Sequence, residues 1–358
     1  MTRLGDVCAI RYGKDHKKLS DGSIPTYGSG GIMRYVDTAI CEQPSVLIPR
    51  KGTLGNLFYT DEPFWTVDTL FWTDIDQTKI VPKYLYYQLK QKDLASYNVG
   101  TAVPSLTVEV LNEIDLDVPS IDKQRRIVEV LNSFDSKIAL NNQLNDYLAN
   151  LCETIASRYC NDRNSRLRDI CYQVADHVDY DNANQETYVS TESLMQNKGG
   201  RQLASSLPTT GKITRYKAGD TLISNIRPYF KKIWYAPFEG TCSGDVIVFR
   251  ANDPSNAPYL HACLRQDSFF DYVMQGAKGT KMPRGDKKQM MEFKVASSCS
   301  AEDLILLDSV IKQRSDNDSE ITKLQKLRDT LLPKLMSGEI DVSKIDLTQL
   351  TNNHLVDC

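Results

Sequence analysis

Eleven residues, Lys278–Lys288, carry five cations, Lys278, Lys281, Arg284, Lys287 and Lys288, against one acid, Asp286. A run of this kind suits phosphate neutralisation, which supplies most of a protein's affinity for nucleic acid, whereas specificity needs side chains that reach base edges. Three other segments share its character. "RYGKDHKK" sets Arg11, Lys14, Lys17 and Lys18 against Asp15 alone. "IPRKGTLGN" places Arg50 and Lys51 beside Gly52 and Gly55, whose missing side chains let the backbone approach a ligand, with Thr53 and Asn56 in the same loop. "SNIRPYFKKIWY" offers Asn225, Arg227, Tyr229, Lys231 and Lys232. By donor and acceptor pattern, Asn56 and Asn225 match adenine and Arg50 and Arg227 match guanine in a major groove. The glycine-rich "TYGSGGIM", with Ser29 at its centre, lacks the dinucleotide fingerprint spacing and reads as a recognition loop.

Catalytic constellations are missing from the same sequence. It has no P-loop, no dinucleotide fingerprint and no serine nucleophile elbow. Nor does it contain the Pro-Pro-Tyr or Pro-Pro-Phe run with which amino-methyltransferases hold a flipped base. His16, His177, His261 and His354 show no short metal-ligand spacing, and the nine cysteines include no Cys-x-x-Cys pair. One nuclease-like triplet, "EFK" at Glu292 after Asp286, is of a kind that recurs by chance. The expectation is a non-enzymatic chain that binds no metal and no cofactor of its own, with reduced and mostly buried thiols.

The elements that must hold these clusters divide the 358 residues into four parts and a tail. Residues 1–118 read as a mixed α/β globule, with short alternating runs broken by Gly and Pro and then a helical "PKYLYYQLKQKDLASY". Residues 119–162 hold a first long helix, free of Pro and Gly from Asp122 to about Tyr159. Its apolar stripe is Ile127, Leu131, Phe134, Ile138, Leu144, Leu148, Leu151, Ile155 and Tyr159, interrupted by Asn141, Asn142 and Asn145. Residues 163–298 form a second globule and residues 299–339 a second long helix, with Leu304, Leu307, Ile311, Ile321, Leu324, Leu327, Leu331 and Leu335. Pro333 is expected to kink or end that helix and Gly338 to stop it, leaving 340–358 as a C-terminal tail. Two helices of similar length predict an antiparallel pair.

The second globule repeats the first. "LGDVCAIRYG" at Leu4 answers to "LRDICYQVAD" at Leu167, and "SVLIPRKG" at Ser45 to "DTLISNIRP" at Asp220. "PKYLYYQL" at Pro82 answers to "APYLHACL" at Ala257, and "GTAVPSL" at Gly100 to "GTKMPRG" at Gly279, with offsets between about 163 and 179. Composition is otherwise ordinary, at 41% apolar, 25% charged and a net charge of −3. The charge is unevenly spread: residues 1–119 carry 12 basic and 15 acidic side chains, residues 165–299 carry 18 and 14, and residues 300–358 carry 7 and 11. No run approaches the roughly 18 apolar residues of a membrane span, and the first residues lack the apolar stretch of a signal peptide, so a cytoplasmic protein is expected.

The Gly-Thr-x-x-Pro turns, "PSIDKQRRIVEVLNSFDSKI" at the head of the first long helix, and the closing "LQKLRDTLLPKLMSGEIDV" together resemble the DNA specificity subunit of type I restriction-modification systems. The likeness runs from about residue 4 to residue 342. It departs at Lys123, where the family commonly has an acid before the Gln, and at "SAEDLILLDSVI", which replaces the Lys-Gln-Arg-Arg opening in the second helix. The resemblance implies an α/β (α+β) architecture of two similar mixed α/β target recognition domains separated by two long antiparallel coiled-coil-like helices, with a pseudo-twofold internal repeat. It implies reading of a bipartite duplex DNA target, with half-site centres about one helical turn apart or a little more, and spacing set by the helices. Expected partners are double-stranded DNA, two methyltransferase (modification) subunits using S-adenosylmethionine, and restriction/translocase subunits using ATP and Mg, in defence against foreign DNA. Two alternatives stand beside this reading: a stand-alone DNA modification or cleavage enzyme, and a two-headed protein scaffold that binds no DNA.

Overall fold

A computed structural model describes residues 2–100, 103–159 and 164–345. Thr101 and Ala102 of the first Gly-Thr-x-x-Pro turn, His354 and the rest of the tail from 346 lie outside the described residues. The chain forms two compact units, 1–138 with 322–358 and 139–321, so each long helix contributes part of its length to each unit.

In the first unit a two-residue strand, Thr2–Arg3, pairs antiparallel with Asp115–Leu116 and ties the globule's start to its end. The main sheet orders its strands Cys8–Tyr12, Leu70–Ile75, Ser45–Pro49, Phe58–Thr60, all antiparallel. Ser45–Pro49 is buried at every position, because a strand covered on both faces needs an apolar run rather than alternation. Helix Pro82–Lys90 packs against it, with Pro82 in the first turn, where the missing N–H breaks no helical bond. A smaller sheet joins Gly31–Val36, Asp21–Gly28 and Trp65–Thr66.

The second unit is built to the same plan. Ser165–Arg166 pairs with Lys294–Val295, and the main sheet orders Cys171–Gln173, Val246–Ala251, Thr221–Ser224, Ile233–Tyr235. Individual bonds repeat as well. The Leu4 amide donates to the Ile114 carbonyl at 2.9 Å and the Leu167 amide to the Phe293 carbonyl at 3.0 Å. Asp6 accepts from the Arg3 amide and Asp169 from the Arg166 amide, both at 2.8 Å. A second sheet orders His177–Asp179, Lys212–Tyr216, Gly240–Cys242 and Tyr188–Val189, and helix Ala257–Leu264 is buried throughout.

The first long helix spans Ile121–Arg158 and the second Ala301–Ser337. Buried positions on the first recur every three or four residues, through Gln124, Ile127, Leu131, Phe134 and Ile138 in the first unit and Asn141, Asn145, Ala149, Cys152 and Ile155 in the second. That is the 3.5-residue period of a coiled-coil seam. Within each unit the partner helix runs antiparallel. In the first unit Asp135 meets Arg328 at 2.8 Å and Arg126 reaches the Val342 carbonyl. In the second, Asn141 meets Glu320, Asn145 meets Asp318 and Arg158 meets Asp303.

The second helix stops where predicted, and the seam differs from the predicted stripe in three respects. Leu144 and Leu327 are exposed, and Leu148, Leu151, Leu304, Ile321, Leu324 and Leu331 are half-buried; Leu307, Ile311, Leu332 and Leu335 are buried. The asparagines do not interrupt the contact: Asn141, Asn145 and Asn317 occupy it, and the Asn317 amide donates to the Asn145 side-chain oxygen at 2.9 Å. Pro333 does not end the helix, which continues to Ser337, since Leu332, Leu335 and Met336 around it are buried in the first unit's core. The stop falls at Gly338, with φ of +77°.

Candidate nucleic-acid interface

In the first unit the fold gathers three of the predicted segments. Residues 13–20 form a loop held by two indoles: Trp72 Nε1 donates to the Tyr12 carbonyl at 3.2 Å and Trp65 Nε1 to the Lys14 carbonyl at 3.0 Å. Gly13 is required there, because a Cβ would lie 2.0 Å from the Val67 carbonyl oxygen. Facing this loop is the Gly28–Met33 turn, and between them lies a concavity of about 720 Å³ lined by Asp15, His16, Lys17, Ser29, Met33 and Asp68. Arg50 connects to the same place. Its guanidinium stacks 5.2 Å over the Tyr12 ring and donates to the Asp68 carbonyl at 3.2 Å. Asn56 donates to the Ser29 carbonyl at 3.3 Å. Lys14, Lys17, Lys18, Lys51 and Thr53 are exposed, and Arg11 is exposed beside Asp74 at 3.4 Å.

The Gly-Thr-x-x-Pro segment near the end of each globule then finds its partner. Backbone bonds clip the Pro104 segment onto the Arg50 loop: the Gly52 amide donates to the Pro104 carbonyl at 3.1 Å and the Leu106 amide to the Arg50 carbonyl at 3.0 Å. In the second unit the Arg227 amide donates to the Pro283 carbonyl at 2.8 Å and the Gly285 amide to the Asn225 carbonyl at 3.2 Å. The two basic clusters at Asn225–Lys232 and Lys278–Lys288 are therefore one surface. Gly285 leaves room for neighbouring side chains, since a Cβ would meet Met290 Cε at 2.2 Å, Val273 Cγ1 at 2.8 Å and Asn225 Oδ1 at 3.1 Å.

Charges on that surface differ in how far they are committed. Arg227 and Lys281 are exposed and make no ion pair among the described residues. Tyr229 is exposed, its ring centroid 4.7 Å from that of Phe230 and tilted 59° to it. Lys278 reaches Asp286 at 3.4 Å and Arg284 reaches Asp245 at 3.2 Å, both on exposed side chains. Lys287 and Lys288 are exposed at the start of a short helix capped by Asp286. Hydrogen bonds from the Gln289 and Lys288 amides, then from Lys278, hold that carboxyl below its ordinary range.

Three expected side chains turn inward. Asn225 is 8% exposed, Lys231 bonds Asp267 at 2.8 Å, and Lys232 donates to the Thr191 carbonyl at 2.6 Å, partial burial lowering its pKa.

The remaining titratable groups serve the fold. Glu292 is engaged by Arg166 and Arg168. His261 is fully buried beside the Thr221 hydroxyl at 3.2 Å, and burial pushes its pKa well down, so it is neutral. Asp220, 1% exposed, makes a two-point pair with Arg250 at 2.7 Å on each nitrogen. Among the described residues no group of three His, Cys, Asp or Glu side chains could hold a metal ion. No described helix is long and apolar enough to cross a membrane.

Residues 1–150 match the family model described as Type I restriction modification DNA specificity domain. That match covers the first 150 of the 358 residues. It is 26% identical over 177 residues to a putative type I restriction enzyme specificity subunit of Haemophilus influenzae, covering 44% of each chain. It is 19% identical over 395 residues to the EcoDI specificity subunit of Escherichia coli, covering 94% of this chain and 87% of that one. The matched segment spans under half the length of the Haemophilus relative, and 42% of the EcoprrI specificity subunit of Escherichia coli. The crystal structure of a type I restriction-modification S subunit from M. genitalium has the same fold, with a TM-score of 0.55 and 16% identity over 93% of this chain and 95% of that one.

Some of the working residues have roles that the sequence leaves unassigned. Gln124 is fully buried, donating to the Pro119 carbonyl at 2.8 Å and the Lys79 carbonyl at 3.3 Å, and accepting from the Val81 amide at 2.8 Å. The "KQRR" run thus fastens the helix to the first globule, and its Arg126 holds the Val342 and Ile345 carbonyls. Tyr12, the platform under Arg50, could have been suspected only as an aromatic beside a cation.

Proposed function

We propose that this chain is the non-catalytic specificity subunit of a type I restriction-modification complex. It selects a bipartite duplex DNA sequence and positions methyltransferase subunits, and through them restriction subunits, on it. The observation that carries the reading is the duplicated loop pair. Each unit clips the Gly-Thr-x-x-Pro segment to the loop after its central strand, and each sets cations there: half-buried Arg50 over the Tyr12 ring with exposed Lys51 in the first, exposed Arg227 and Lys281 in the second.

In this reading Lys14, Lys17, Lys18 and Lys51 of the first unit, and Lys278, Lys281, Arg284, Lys287 and Lys288 of the second, neutralise phosphates. Arg50, Asn56, Arg227 and Tyr229 face base edges. The two recognition domains occupy residues 1–118 and 163–298, and the long helices at 119–162 and 299–339 set the number of unread base pairs between half-sites. Leu140, Leu144 and Tyr147 are exposed at helical spacing on the first long helix and suit docking of a methyltransferase subunit. Two such subunits are expected, bringing S-adenosylmethionine, while ATP and Mg belong to the restriction subunit.

The test is binding of the complex reconstituted with its methyltransferase subunits to duplexes carrying a selected split site or a shuffled one. The reading requires at least a thousandfold preference for the split site at physiological salt. Equal affinity for both would overturn it.

A further inference from the structure

Two consecutive residues, Asn197 and Lys198, have positive φ, at 54° and 61°, and so do Arg227 and Lys231, both at 50°. None is glycine; asparagine tolerates the left-handed region, but Lys and Arg hold it only where their surroundings over-determine it. The two strained segments lie against each other. The Asn197 amide donates to the Phe230 carbonyl and the Lys198 amide to the Lys231 carbonyl, both at 2.9 Å. Between those segments and the first long helix sits the Lys198 ammonium, whose side chain is 10% exposed. It is 2.8 Å from Glu153 of the helix and 3.0 Å from Asp267, which Lys231 also reaches at 2.8 Å. Arg265, with a side chain 6% exposed, donates to the Lys198 carbonyl at 3.1 Å and lies 3.5 Å from Glu153.

We propose that Glu153 and Lys198 are positioning residues that preset the Arg227–Lys231 turn, holding its strained backbone from the long helix so that Arg227 and Tyr229 meet the DNA already ordered. The inference rests on the reading of those two side chains as DNA contacts. Lys198 is too buried to reach a phosphate, so its effect must pass through the turn. Preorganisation of this kind favours the specific complex, where the turn must match a base sequence, over non-specific binding, where phosphates alone are held.

The test uses the full chain with Lys198→Met, Glu153→Gln and Lys198→Arg. Without DNA, amide exchange at Asn197 and Lys198 is expected to quicken about tenfold or more in the first two variants and not in Lys198→Arg, with first-unit amides unchanged. In the assembled complex the preference for the correct base pairs is expected to fall about tenfold in one half-site only, the scale of one lost base contact. The salt slope of non-specific binding should be unchanged. Glu153→Gln keeps its shape and serves if Lys198→Met fails to fold. Unaltered exchange in both variants would overturn the clip. Quickened exchange with discrimination intact, or lost equally at both half-sites, would overturn the positioning role. A wild-type complex that does not discriminate at all would instead overturn the DNA reading, and the exchange measurement would still decide the clip.

Discussion

The Arg227 amide donates to the Pro283 carbonyl at 2.8 Å, and the equivalent bond in the other unit runs from Gly52 to Pro104 at 3.1 Å. Each bond joins the loop after a buried central strand to the segment that leads out of the globule toward a long helix. In the first unit the clipped segment, as far as it is described, carries no cation, whereas in the second it carries Lys278, Lys281 and Arg284.

From that asymmetry, Lys281→Ala with Arg284→Ala should weaken binding of the complex about equally across sequences. The slope of log affinity against log salt should fall by roughly 2, at about 0.9 for each phosphate contact. Val103→Ala, in the matching first-unit segment, should leave both unchanged. Binding titrations across a salt series provide the check.

Gln124→Ala removes two donated bonds and one accepted bond at a fully buried site. The orphaned Val81 amide and the two carbonyls should cost about 1–3 kcal/mol. In differential scanning calorimetry the first unit's transition should fall by several degrees while the second unit's holds.

Asp267 gives a pH dependence of definite sign. Hydrogen bonds from Lys231 and Lys198 hold its carboxyl below the ordinary 3.8. A group whose folded pKa is depressed stabilises the fold above its unfolded value, and that contribution is lost as pH falls through the folded value. The stability difference between wild type and Asp267→Asn should be constant above pH 3.8 and shrink below it, as read from urea midpoints.

How much of this was legible in the sequence depends on range. The duplicated architecture reads directly, because Gly, Pro and short apolar runs punctuate both halves in the same order, and the first long helix reads from the absence of Pro and Gly between Asp122 and Tyr159. The meeting of Ser29 and Lys17 at one concavity, with Arg50 bonded to Asp68 of its lining, follows from strand pairing that no local pattern encodes. Asn225 looks like a base reader by residue type and is buried, with the Gly285 amide bonded to its carbonyl. Pro333 shows propensity yielding to burial, since Leu332, Leu335 and Met336 keep the helix going through it. Glu153 and Lys198 form their contact across 45 residues of chain, beyond any periodicity.

The seam predicts how spacing can be re-engineered. A heptad inserted in each long helix, near Asn141 and near Glu320, preserves the 3.5-residue period and adds about 10 Å of helix. The tolerated spacer should lengthen by about 3 base pairs, at roughly 3.4 Å each, with both half-sites unchanged. Altered half-site bases would remove the helices from the measuring role.

The most direct test of the central claim is genome-wide sequencing of modified bases in cells that express the methyltransferase partners, with and without this gene. A split motif, two short specified blocks around an unspecified spacer, should be methylated with the gene and vanish without it. Unchanged methylation, or loss of a continuous motif, would contradict the assignment.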